Sequence, residues 1–348
     1  MSAAVASPEG AVAVPARRRP PRGAAAGSPV FVEHDPAFAE VLGDDPRLVR
    51  VVATDAHEGP VYVRDEDALY FTTVPRRGRR ASGSVPRVAI KRVALDGLQL
   101  RLPPERVTVV RADANAANGM TLGSDGRLLV CEQGTRLEPA RISAFDPRTG
   151  EVETVVGGFG CRPLNSPNDV VARSDGTIWF TDPTYGHLQG FRPAPALGEH
   201  VYRFDPATGV LTVVASTFDK PNGIAFSPDE RTLYVGDSGA IHGPGDYDAA
   251  RPRRVLSFGV GRGGAVGAPT AFAGAIPGFP DGITTDADGR VYVSGAGGVL
   301  VHSPSGRLLG EIRLPGAVNF TFGGPDRTVL FITADTAVWA AVLAAKGA

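Results

Sequence analysis

Along most of the chain, apolar residues alternate with polar ones or come in blocks of four or five, and short polar turns separate the blocks. One phrase recurs: a polar residue, a glycine or other small residue, an apolar run, an aspartate-containing turn, and a second apolar run. Six copies align. They are EGPVYVRDEDALYF from Glu58, NGMTLGSDGRLLVCE from Asn118, NDVVARSDGTIWFTD from Asn168, NGIAFSPDERTLYVGD from Asn222, DGITTDADGRVYVSG from Asp281 and NFTFGGPDRTVLFITA from Asn319. Asp-Gly or Pro-Asp between two β-branched or aromatic runs predicts a β-hairpin in each copy.

The copies begin about 60, 50, 54, 59 and 38 residues apart. That range overlaps the period of roughly 40 to 50 residues expected of propeller blades once loops are allowed for. The intervening segments supply two more strands per unit. ISAFDPRTGEVETVV from Ile142 and VYRFDPATGVLTVVA from Val201 are such pairs, with Asp-Pro-x-Thr-Gly as the turn. Four strands in each of six units predict an all-β fold, a six-bladed β-propeller over residues 29–348, closed so that only short edges remain. The last dozen residues are the one segment with a helix-like run. Residues 1–28 are rich in Ala, Pro, Arg and Gly without periodicity, which predicts a disordered tail.

Composition narrows the function. The 348 residues carry 36 Lys and Arg against 37 Asp and Glu, so no global field attracts nucleic acid or an anionic membrane, and a small ligand is the expected partner. No run approaches the roughly 18 apolar residues of a membrane span. The basic cluster near the N-terminus follows its apolar stretch, the reverse of a secretory signal, so a cytoplasmic location is expected. Oligomeric state is left open. Cys131 and Cys161 form no CxxC motif and are expected to be buried free thiols.

In a propeller the innermost strand of each blade lines the channel, so the residue entering each of six equivalent strands falls on one ring at one mouth. Here that ring is Glu58, Asn118, Asn168, Asn222, Asp281 and Asn319, all bearing oxygen. Asn-Gly and Asp-Gly are commonly turn dipeptides. Here each copy carries its own separate turn several residues later, which leaves the first polar residue unexplained by turn chemistry. Two carboxylates and several amide carbonyls on one axis are hard-oxygen ligands suited to one divalent ion, Ca²⁺ first, with Mg²⁺, Mn²⁺ or Zn²⁺ as alternatives.

The phrases HEGPVY at 57–62, LNSPNDVV at 164–171, WFTDPTYG at 179–186, KPNGIAFSPDERTLYVGD at 220–237 and PDGI at 280–283 resemble the senescence marker protein 30, gluconolactonase and luciferin-regenerating enzyme superfamily. Within it, YGHLQGFRPAPALGEHVYRFDPATG is similar to the fungal lactonohydrolases. The likeness extends over about residues 30 to 340. It implies a six-bladed propeller holding a divalent metal through Glu58, Asn168, Asn222 and Asp281, with Asn118 near the substrate. The activity implied is hydrolysis of a small lactone, such as that of a sugar acid, with the carbonyl polarised by the metal and water as nucleophile. Asp281 is the first candidate for the base and Glu58 the alternative, because a ligand carboxylate has a second oxygen to accept a proton. No GxSxG elbow is present, which argues against an α/β-hydrolase route.

Around this ring, Glu132, Arg136 and Tyr185 lie at strand ends or loops where propellers recognise ligands, with Arg136 a candidate contact to a lactone hydroxyl. His57 adjoins Glu58, but strand alternation predicts that it faces away from the channel. His187, His200 and His242 show no metal-ligand spacing and are expected to be solvated loop residues. The same ring would also serve another metal-assisted hydrolysis, of a phosphoester for example, or an isomerisation, and fold alone does not choose among them. An interaction propeller without enzymatic activity is the remaining class.

Overall fold

The computed structural model describes residues 29–77, 85–97 and 100–348, so the expected tail at 1–28 lies outside the described residues. Six antiparallel sheets, five of four strands and one of five, follow one another around the ring, giving the six-bladed β-propeller expected. The innermost strands are Ala56–Val63, Ala117–Leu122, Val170–Ala172, Pro221–Phe226, Ile283–Thr285 and Asn319–Gly323. Each touches the next, and the last touches the first, so they close a ring around the channel.

The blocks of apolar residues have a simple cause. In the second strand of each blade, successive side chains point to opposite faces, and both faces pack against a neighbouring blade. Leu69 and Phe71 face the sixth blade while Tyr70 faces the second; Trp179 faces the fourth blade while Phe180 faces the second. A strand buried on both faces reads as a continuous apolar run instead of an alternating one. Six apolar clusters result, one between each pair of adjacent blades. Each large side chain fully buried there contributes roughly 1.5–3 kcal/mol relative to exposure.

Closure comes from the N-terminal side. The sixth blade takes three strands from the C-terminal region and its outer strand, Arg47–Ala53, from before the first blade, with Arg47 opposite Val342 and Ala53 opposite Ala337. Phe31–Glu33 adds a fifth strand outside the fifth blade, and the short helix Phe38–Leu42 plugs the seam between blades five and six with Phe38 and Val41. The helix-like run near the C-terminus is the strand Ala337–Val342, because its small residues sit between the flanking strands of the sixth blade, with Ala340 and Ala341 buried.

The Asn-Gly dipeptides are inside strands, where they solve a packing problem and make no turn. An added Cβ at Gly119 would come within 2.7 Å of the Asn168 carbonyl oxygen, and one at Gly223 would collide with the carbonyl oxygen of Asp281. The glycine after a ring residue thus lets the next blade bring its own ring residue to the axis. Of the cysteines, Cys131 is a buried free thiol as expected, whereas Cys161 is exposed at the turn between Gly158–Phe159 and Arg162–Pro163, with φ of 63°. Among the described residues no helix is long and apolar enough to cross a membrane.

Candidate active site

At one mouth of the channel lies a cavity of about 230 Å³. Glu58, Asn118, Asn168, Asn222 and Asp281 all line it, which brings five of the six ring residues together. Asn319 sits deeper. It borders the larger cavity of about 520 Å³ at the opposite end and donates its carboxamide N–H to Glu58 Oε2 at 2.8 Å.

The two acids are the centre of the arrangement. Glu58 is buried and Asp281 half-buried, and both line the cavity together with Asn222. Burial, then the nearby Asp281 charge, pushes the Glu58 carboxyl well above its ordinary value, against the Asn319 hydrogen bond. Burial also raises Asp281, with His57 and Asn222 opposing. Two carboxylates this close favour sharing a proton or accepting a cation between them. Among the described residues no Lys or Arg lines the cavity, and Asn118 Oδ1 is buried without a hydrogen-bond partner. Two acids with neutral amide oxygens fit a hard divalent cation. Among the described residues no three His, Cys, Asp or Glu side chains converge, so such an ion would depend on the amides.

His57 departs from expectation. It lines the same cavity as Glu58, and its Nδ1 is 2.7 Å from Asp335 Oδ1. The register of Ala56–Val63 shifts on both sides of Glu58, and these irregularities break the alternation that would have turned His57 away. Tyr185 also lines the cavity, from the short helix Tyr185–Leu188; its hydroxyl is buried beside Ser238 and Asn222 without a well-formed hydrogen bond. Arg136 is exposed and outside the lining, with its guanidinium 3.3–3.4 Å from the Gly190 carbonyl oxygen.

Glu132 does not face the ligand space. It is fully buried and accepts hydrogen bonds from Arg111, Arg141, Ser143 and Asn115, all at 2.6–3.0 Å. Its place is that of a repeated device. Asp182 accepts from the backbone N–H groups of Asn165 and Ser166, and Asp237 from those of Asp219 and Lys220, so each fixes the chain just before Asn168 or Asn222. Ser294 Oγ accepts from Asp281 N–H, and Thr333 Oγ1 from Asn319 N–H. Thr72 Oγ1 donates across to the Asn118 carbonyl. Counting 13–15 residues on from each ring position in the aligned copies reaches all six. That spacing was the signal for these supports.

The other histidines are not free in solvent. His200 begins the strand His200–Asp205 against the Tyr202 ring, and burial lowers its pKa; His242 Nε2 is 3.3 Å from Asp219 Oδ1. Of these three only His187 is exposed, on the helix beside Tyr185. The repeats gave no signal for the rest of the cavity wall, Pro75, Gln133, Gln189, Ile241, Gly243, Pro244 and Phe279.

Comparison with known proteins agrees with the fold. The SMP-30/gluconolactonase/LRE-like region matches residues 56–336. A gluconolactonase of Zymomonas mobilis is 30% identical over 305 residues, spanning 82% of this chain and 78% of its own. A lactonohydrolase of Aspergillus oryzae is 28% identical over 330 residues, covering 86% of this chain and 71% of its own. The solved structure of a Xanthomonas campestris gluconolactonase superposes with a TM-score of 0.71 at 33% identity, over 90% of this chain and 94% of that one.

Proposed function

The chain belongs to the SMP-30/gluconolactonase/LRE-like family, and on that premise we propose that it hydrolyses a small lactone in the cavity at the channel mouth, with one divalent cation, Ca²⁺ first, held by Glu58, Asn168, Asn222 and Asp281. The observation that carries the reading is the pair of carboxyls, buried Glu58 and half-buried Asp281, facing neutral amides in a cavity that, among the described residues, no Lys or Arg lines. The relatives' names, gluconolactonase and lactonohydrolase, supply the substrate class.

When bound, such an ion polarises an ester carbonyl and stabilises the negative charge that develops on its oxygen. The chain's own groups handle the proton. Water adds to the carbonyl carbon and gives up a proton to a carboxylate; the ring C–O bond then breaks, the departing oxygen takes a proton, and a hydroxy acid is released. Asp281 is the assigned acceptor because it lines the mouth beside Glu58 and Asn222, with its backbone N–H on Ser294 Oγ. Glu58 is the alternative, positioned from behind by Asn319. His57, oriented by Asp335, is a third group able to accept a proton at the cavity edge.

The test is a panel of γ- and δ-lactones followed by pH-stat, together with elemental analysis of the purified protein. Lactone hydrolysis lost on chelation and restored by Ca²⁺ is the expected result. Undiminished activity in metal-free protein would remove the ion from the proposal, and turnover of phosphoesters without lactones would replace the substrate class.

A further inference from the structure

The cavity is divided by chemistry. Its acids, Glu58 and Asp281, come from the first and fifth blades, whereas the second and third blades contribute uncharged hydrogen-bonding groups. Gln133 and Gln189 stand out among these. Gln133, directly after the structural Glu132, is buried and spends its backbone N–H on the Ala116 carbonyl; Gln189 caps the Tyr185–Leu188 helix with its N–H on the Tyr185 carbonyl. Both residues line the cavity, and among the described residues neither carboxamide is engaged by a protein hydrogen bond.

A carboxamide in a cavity wall that spends none of its hydrogen bonds on the protein keeps them for a ligand. Each offers one acceptor and two donors, the combination that matches a hydroxyl, which both donates and accepts. We infer that Gln133 and Gln189 are specificity-determining residues that hydrogen-bond the ring hydroxyls of a polyhydroxylated lactone whose ester group lies toward Glu58 and Asp281. This rests on the lactone-hydrolase reading. It adds that the preference for hydroxylated over bare lactones resides in these two amides, on different blades from the acids.

The experiment compares kcat/KM for glucono-δ-lactone and for δ-valerolactone, a six-membered lactone without hydroxyls, in the wild type, Gln133→Leu and Gln189→Leu. Wild-type enzyme is expected to favour gluconolactone, and each substitution to lower the ratio of the two kcat/KM values by about tenfold, the scale of one hydrogen bond. An unchanged ratio in both variants, whether from equal losses on both lactones or from no loss, overturns the inference. So does a wild-type enzyme that turns over the two lactones equally, and in those cases the lactone-hydrolase reading stands. Wild-type enzyme that hydrolyses neither lactone overturns that reading and the inference with it.

Discussion

Asn319 of the last blade holds Glu58 of the first through a 2.8 Å hydrogen bond from its carboxamide to Oε2. Removing it leaves a buried carboxyl free to turn. Asn319→Ala is expected to lower metal affinity and kcat by about 10- to 100-fold, the usual effect of losing a partner that orients a ligand. Calorimetric titration with Ca²⁺ and lactone kinetics would measure both. Wild-type values in each would show that the hydrogen bond has no part in the site.

Asp281→Asn separates coordination from proton transfer. The amide keeps a coordinating oxygen but lacks the charge and basicity of the carboxylate. If Asp281 accepts the proton, kcat falls by about 10² to 10⁴ and the loss persists at saturating Ca²⁺. Recovery to near wild-type turnover in excess Ca²⁺ would pass the role to Glu58 or His57.

Glu132 is expected to matter for stability and not for substrate. Burial alone would raise its carboxyl, but Arg111, Ser143 and Asn115 outweigh burial and hold it below the usual range. Glu132→Ala strands the buried ends of Arg111 and Arg141 and is expected to cost about 3–5 kcal/mol. Denaturant unfolding gives the number. A variant as stable as wild type but with a raised KM would return Glu132 to the ligand site.

His302 makes the fold acid-sensitive. Burial in the fifth blade lowers its pKa from 6.5 to about 4, against one backbone hydrogen bond at Val291. The unfolded chain therefore takes up this proton first. The stability tied to neutral His302 is complete above about pH 6.5 and is lost as pH falls through about 4, at up to ~1.4 kcal/mol per pH unit. His302→Gln should flatten that part of the stability curve. Parallel curves for the two proteins between pH 7 and 4 would contradict it.

The ring was legible because its six positions begin a repeated phrase, and repetition at blade spacing carries geometry without any contact being known. His57 was misplaced because backbone irregularities around Glu58 are invisible to an alternation rule. Glu132 was misread as a ligand-space residue until its spacing from Asn118 was set beside those of Asp182 and Asp237 from their own asparagines. Gln189, Ile241 and Phe279 come from segments outside the repeated phrase, so periodicity had nothing to say of them. The outer strand Arg47–Ala53 pairs with a segment near the other end of the chain, and local pattern does not name so distant a partner.

That pairing also sets a schedule for biosynthesis. On the ribosome, Glu58 emerges early, but Asp281 and Asn319 come much later, and the outermost strand of the sixth blade must wait for Ala337–Val342 to appear beside it. The acidic pair and its support therefore assemble only after the sixth blade has been translated. A ribosome-bound fragment lacking the last blade would have an unsealed ring, so assembly of the mouth site would report closure of the propeller.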